Sequence, residues 1–168
     1  MPIPIQGVDP AQNEFLASLE AKSKQPNAFF RAMAHRPEAL RSFVPLYGAI
    51  MGTGPVERRV KELVYLTCSY ANQCAFCTAA HVAGAGKAGI TADEMRALQA
   101  GDDQPFPAAE RAAIAYARDL TRTATAAESR EALFAHFTQE QVVEITLVAA
   151  MANFTNRFNN GLRMLPGA

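Results

Sequence analysis

Residues 56–81 read Val-Glu-Arg-Arg-Val-Lys-Glu-Leu-Val-Tyr-Leu-Thr-Cys-Ser-Tyr-Ala-Asn-Gln-Cys-Ala-Phe-Cys-Thr-Ala-Ala-His. Val56, Val60, Leu63, Val64 and Thr67 recur at the three- and four-residue intervals of one helical face, which predicts a helix running to about Tyr70. A short break follows at Asn72, and a second helix begins near Cys74 and runs toward Gly89. If the chain reverses at that break, the two helices pair antiparallel. Glu62, ten residues before the turn, then faces His81, nine residues after it.

Outward from this hairpin the same period continues and strand-like alternation is hard to find. Pro2 and Pro4 make residues 1–9 an extended arm, because proline cannot donate to a helix and has its backbone angle fixed. Asp9-Pro10 has the form of a helix start. Apolar residues then fall at helical spacing through Phe15, Leu16 and Leu19, through Phe29, Phe30 and Met33, and through Leu40, Phe43, Val44 and Tyr47. Gly52-Thr53-Gly54-Pro55 interrupts them. Beyond the hairpin, Thr91-Ala92-Asp93-Glu94 is a capping box opening a helix to about Ala100, and a loop over 101–107 ends it. Pro107 opens a long Ala-rich helix to about Thr125, residues 128–136 form a shorter one, and a second capping box, Thr138-Gln139-Glu140-Gln141, starts the last, over about 139–163. With short connections and no strand–helix alternation, the expected architecture is one all-α bundle spanning 10–168.

Composition narrows the function. A chain of 168 residues, 49% of them hydrophobic, with ten Gly, ten Pro and no Trp, fits a single globular domain with a real core. Sixteen basic residues balance sixteen acidic ones, so no electrostatic footprint exists for nucleic acid or an anionic membrane surface. The first residues lack the basic flank and apolar run of a signal peptide, and no stretch is long and apolar enough to span a membrane. A soluble, cytoplasmic protein is expected. Three cysteines, two of them three apart, do not form the framework of a secreted disulfide-rich protein.

The chemistry concentrates in Glu62, Cys74, Cys77 and His81. On a helix the last three form one stripe, with the imidazole one turn from Cys77. Two thiols at this spacing can close a reversible disulfide, a His can exchange a proton with them, and a carboxylate can orient that His. Cys74, in the first turn, gains most from the helix dipole, and Cys77 gains most from His81. Spacing alone leaves open which thiol is attacked first. Cleaving an O–O bond calls for a nucleophile beside a proton donor, because the leaving alkoxide needs a proton. For peroxide chemistry that favours Cys77, with Cys74 as the resolving and more exposed thiol.

The run Glu-x11-Cys-x2-Cys-x3-His at these four residues resembles the signature of the alkylhydroperoxidase D (AhpD) family, within the carboxymuconolactone decarboxylase superfamily, with every spacing preserved. The resemblance implies an AhpD-like helical bundle and a peroxidase acting on a small-molecule alkyl or hydrogen peroxide. It implies that Cys77 is peroxidatic, that Cys74 resolves it as a disulfide, and that His81 with Glu62 relays protons through a water. No cofactor beyond the redox-active Cys74–Cys77 disulfide is implied. A dithiol carrier, a lipoyl or thioredoxin-like protein, would regenerate it, and the assembly would be a homo-oligomer, a dimer, trimer or hexamer. One position departs: Phe76 stands where some members carry a His or Tyr able to join the relay. The decarboxylase branch does not depend on a Cys-x2-Cys pair, so the thiols weigh against lactone decarboxylation.

The same residues admit other readings. The pair could act as a dithiol–disulfide oxidoreductase on a protein or lipoyl disulfide. It could be structural, in a non-catalytic helical oligomerisation module, or hold zinc with Cys68 or Glu62 as fourth ligand, although a second close pair is missing. Cys68 in its apolar run reads as core. Gly84-Ala85-Gly86-Lys87-Ala88-Gly89 spells G-x-G-x-x-G but ends a helix instead of following a strand, so close helix packing is its expected use. Asn153, Asn156, Arg157 and Asn160 share one face of the last helix and read as a solvated or subunit-facing stripe, with a buried network as the alternative. His35 and His136 are expected to be exposed.

Overall fold

The computed structural model describes residues 5–167. Among them are nine α-helices and no strand: α1 (Glu14–Ser23), α2 (Ala28–Met33), α3 (Pro37–Met51), α4 (Arg58–Ala71), α5 (Ala75–Lys87), α6 (Ala92–Ala100), α7 (Ala108–Thr123), α8 (Ala127–Leu133) and α9 (Gln139–Gly161). Of the extended arm expected over 1–9, residues 1–4 lie outside the described residues, and residues 5–9 carry no helix.

Local signals explain most boundaries. Both capping boxes form, at Thr91–Glu94 and Thr138–Gln141. Asp9 caps only a short 3-10 turn, Pro10–Gln12, and the first α-helix waits for Asn13, whose side chain accepts from the Leu16 amide. The short helix expected over 128–136 closes at Leu133.

Helix α4 is the axis of the molecule. It packs on α5, α7 and α9, and its residues 60–69 are buried without interruption, as a helix surrounded on all sides must be. One side meets α3, α7 and α9 through Val60, Val64, Tyr65 and Cys68. The other, through Leu63 and Leu66, meets Ala85, Ile90, Leu98, Phe106 and Ile114. The apolar face read from the sequence is there, but polar residues between its members are buried too. Lys61 is 1% exposed, and its ammonium donates to the Ile50 and Gly52 carbonyls and to Glu144 Oε1, at 2.7–2.9 Å. Glu144 Oε2 accepts from the Val56 amide at 2.7 Å, so α9 holds the Gly52–Pro55 loop down on the start of α4. Gly54 is required there, since a Cβ would collide with the Glu144 carboxylate.

Candidate active site

The turn between α4 and α5 sets the site. Asn72 ends α4, Gln73 takes a left-handed conformation (φ 52°), and Cys74 becomes the N-cap of α5, its sulfur accepting from the Cys77 amide at 3.3 Å. Cys77 lies one turn further in. The two sulfurs are bonded, with Cα atoms 5.3 Å apart. Both cysteines are buried, Cys74 at 0% and Cys77 at 3% exposure, which corrects the expectation that Cys74 is the more exposed thiol. Residues of α9 arch over the turn, hydrogen-bonding to Ser69 and Asn72.

That arch is the polar stripe of α9. Asn72 Nδ2 donates to Oδ1 of both Asn153 and Asn156 at 2.9 Å, Asn156 Nδ2 donates to Ser69 Oγ at 3.1 Å, and Asn160 Nδ2 donates to the Asn72 carbonyl at 2.8 Å. Asn156 is fully buried and Asn153 partly so; only Arg157 and Asn160 face outward. The solvated-face reading therefore gives way to a buried network, because these amides satisfy the groups that the sharp turn leaves unpaired.

Glu62 on α4 and His81 on α5 meet directly. Glu62 Oε2 lies 2.8 Å from His81 Nδ1, where the resemblance implied a water-bridged relay. Gly84, one turn beyond His81, makes room: a Cβ there would stand 2.9 Å from Glu62 Oε1. Close helix packing is thus the use of the first glycine of the G-x-G-x-x-G run. Arg58, one turn earlier on α4, pairs with Glu62 Oε1 at 2.5 Å. Burial raises the Glu62 carboxyl, but the hydrogen bond and charge of His81 and the charge of Arg58 outweigh it and hold the group below its usual value. Glu62 is thus ionised at neutral pH. A carboxylate can only accept, so His81 carries its proton on Nδ1.

The other imidazole nitrogen, Nε2, lies 3.2 Å from the Tyr47 hydroxyl, contributed by α3. Burial, then the charge of Glu62, pushes the Tyr47 phenol up to about 12, so it remains protonated. Tyr65, three residues after Glu62 on α4, stacks on the imidazole with centroids 3.6 Å apart and hydrogen-bonds Thr155 Oγ1 through its own hydroxyl. On the opposite side, Asn159 Nδ2 donates to Cys77 Sγ at 3.2 Å. Neither Tyr47 nor Asn159 was singled out from the sequence. Tyr47 reads there as an apolar helix position, and Asn159 stands beside the stripe, three residues after Asn156.

Cys77, His81, Tyr47 and Asn159 open onto a cavity of about 490 Å³ whose walls also carry Phe29, Phe30, Phe43, Tyr65 and Phe76. Cys74 forms part of a second cleft of about 530 Å³, with Ser69, Tyr70, Gln73, Thr78 and Gln99. Cys68 belongs to neither. Its sulfur sits 3.9 Å from the Ala117 and Ala149 carbonyls, and burial pushes its thiol up to about 11. Among the described residues no three His, Cys, Asp or Glu side chains are grouped as a metal site. His35, exposed, lies 2.7 Å from the Gln6 carbonyl, and His136 is exposed. Among the described residues no helix is long and apolar enough to cross a membrane.

The model of the carboxymuconolactone decarboxylase family matches residues 37–119, which contain Glu62, Cys74, Cys77 and His81. No curated protein matches the chain. Among solved structures, a peroxidase-related protein from Silicibacter sp. TM1040 is similar with a TM-score of 0.83 and 23% identity, over 100% of this chain and 96% of that one. An alkylhydroperoxidase AhpD core, a peroxidase-related protein from Ralstonia eutropha JMP134, is similar with a TM-score of 0.78 and 24% identity, over 95% and 87%. A debrominase bound to 2,3,4-tribromopyrrole is similar with a TM-score of 0.80 and 18% identity, over 97% and 91%. At these identities the structural likenesses establish the fold. The chain therefore has the AhpD-like helical fold, and its residues 37–119, the Glu62–His81 hairpin among them, match the carboxymuconolactone decarboxylase family.

Proposed function

We propose that the protein is a dithiol peroxidase that reduces organic hydroperoxides at Cys77. The observation that carries this reading is the continuous chain Glu62–His81–Tyr47, which ends in a protonated hydroxyl on the wall of the cavity that also exposes Cys77. In the reduced protein, the Cys77 thiol passes its proton to His81, and Glu62 stabilises the imidazolium. The thiolate attacks the terminal oxygen of the hydroperoxide. An S–O bond forms, the O–O bond breaks, and sulfur is oxidised by two electrons. The alkoxide takes a proton from Tyr47, which is refilled from His81 Nε2, and leaves as the alcohol. Cys77 sulfenic acid then condenses with the Cys74 thiol, releasing water and forming the disulfide. A dithiol carrier reduces that disulfide, and the second cleft borders the buried Cys74, which has to be uncovered for the exchange.

Tyr47 removes the difficulty raised by Phe76. Phe76 cannot pass a proton, but α3 brings a hydroxyl to the nitrogen that the relay needs.

The test is hydroperoxide consumption coupled to a dithiol donor. Cys77→Ser abolishes it, whereas Cys74→Ser yields a Cys77 sulfenic acid detectable by mass spectrometry. If hydroperoxide oxidises neither thiol while protein or lipoyl disulfides exchange readily with Cys74, the protein is a dithiol–disulfide oxidoreductase instead. The debrominase relative supports a related use of the same fold on a halogenated aromatic, which bromide release from a brominated pyrrole would reveal.

A further inference from the structure

Asn159 is 2% exposed, its Nδ2 is engaged by Cys77 Sγ, and its Oδ1 is buried without a hydrogen-bond partner. An unpaired buried amide oxygen is costly, and it is the kind of group a ligand satisfies. A thiolate has no proton to give, so in the reduced protein the amide must keep its N–H toward sulfur and its oxygen turned away. The oxygen then sits on the same small planar group that touches the nucleophile.

Asn159 lines the cavity beside Cys77, and that cavity adds shape and polarity. About 490 Å³ is far more than hydrogen peroxide needs, a water occupying only about 30 Å³ of the liquid. Phe29, Phe43 and Tyr47 line up with centroid separations of 5.1 and 5.5 Å, presenting ring faces and edges. Among the described residues lining the cavity there is no Lys or Arg to pair with a carboxylate.

We infer that the cavity is a subsite for a neutral hydroperoxide with an aromatic body, whose terminal O–H donates to Asn159 Oδ1. The inference rests on the peroxidase reading and deepens it. One amide thereby holds both partners of the reaction: its N–H steadies the Cys77 thiolate and its carbonyl fixes the oxygen to be attacked. The proton on that oxygen stays with it and becomes the sulfenic acid proton, while the alkoxide takes its proton from the Tyr47 side. Asn159 would thus touch substrate and nucleophile, and the aromatic walls would set specificity.

The experiment follows Cys77 oxidation by stopped-flow with cumene hydroperoxide, hydrogen peroxide and linoleic acid hydroperoxide. Cumene hydroperoxide is expected to react at least tenfold faster than either of the others. Asn159→Leu, of similar volume but without polar atoms, lowers its rate constant about 10- to 100-fold. It also raises the pH midpoint of iodoacetamide alkylation of Cys77 in a Cys74→Ser background, which a merely structural residue would not move. Phe30→Trp, which narrows the cavity without touching Asn159, lowers the cumene-to-hydrogen peroxide rate ratio at least tenfold and serves if Asn159→Leu does not fold. Equal or faster reaction with hydrogen peroxide or the linear lipid hydroperoxide overturns the subsite while leaving the peroxidase intact. So does an Asn159→Leu protein that is folded and reacts at the unaltered rate. If no hydroperoxide oxidises Cys77, the peroxidase reading falls. Calorimetry of 2-phenyl-2-propanol on the oxidised protein then decides the subsite by itself: binding weakened at least fivefold by Asn159→Leu supports it, and no binding overturns it.

Discussion

Glu62 is a buried carboxylate held ionised by the His81 Nδ1–H at 2.8 Å and the Arg58 guanidinium at 2.5 Å. Its folded-state value lies below the ordinary one, so its contribution to stability is present above that ordinary value and is lost as the pH falls. Glu62→Gln should therefore show a flatter loss of stability than the native protein below pH 4.5, measured by urea unfolding at several pH values. The same substitution replaces the charged acceptor of His81 by a neutral amide that cannot stabilise an imidazolium, and peroxide turnover should fall about 100-fold at neutral pH, within the range of lost acid–base catalysis. Tyr47→Phe tests the other end of the chain. It removes one oxygen and no packing volume, so turnover is expected to drop about tenfold or more while the unfolding midpoint barely moves. A Tyr47→Phe protein as active as the native one would eliminate the hydroxyl from the relay.

At the scale of elements, two close approaches position the site. Gly84 lets α5 lie against the Glu62 carboxylate, and Gly84→Ala would place a methyl 2.9 Å from Oε1, a distance real Cβ contacts avoid. Because the carboxylate is confined by His81 and Arg58, the expected outcome is a loss of activity disproportionate to the loss of stability, read by turnover and thermal melting on one sample. The Lys61–Glu144 pair behaves in the opposite way. It lies away from the sulfurs and locks the loop before α4 to α9, so Glu144→Ala leaves a buried ammonium with carbonyl partners alone. That should cost about 3 kcal/mol in urea unfolding, as for other broken buried pairs, while the Cys74–Cys77 chemistry persists in the folded fraction. Lys61→Met combined with Glu144→Leu should recover only part, since the Val56 amide then lacks its acceptor. Helix caps were the elements most legible beforehand: Thr91–Glu94 and Thr138–Gln141 are local hydrogen-bonding patterns that need nothing from the rest of the chain.

On the scale of the whole molecule, α4 runs through the middle, and both apolar clusters close around it. The disulfide, by contrast, bridges residues only three apart and ties no two distant parts together. By chain entropy so short a loop contributes about 2 kcal/mol. Reduction should accordingly lower the melting temperature by less than about 10 °C, as measured with and without a strong phosphine reductant. A fold that collapsed on reduction would give the thiols a structural role and contradict a cycling disulfide.

The sequence by itself determined the all-helical class, the α4–α5 hairpin, and the meeting of Glu62 with His81. Helical period, caps and an antiparallel turn are short-range properties, and a ten-residue and a nine-residue arm on either side of Asn72 can meet in few ways. Only the tertiary structure decided that Cys74 is enclosed, that the Asn153 and Asn156 side chains turn inward, and that Tyr47 meets His81 and Asn159 meets Cys77. Those outcomes depend on how α3 and α9 lie across the hairpin. Tyr47 is 34 residues from His81 and Asn159 is 82 from Cys77, and local periodicity carries no information about packing at that range.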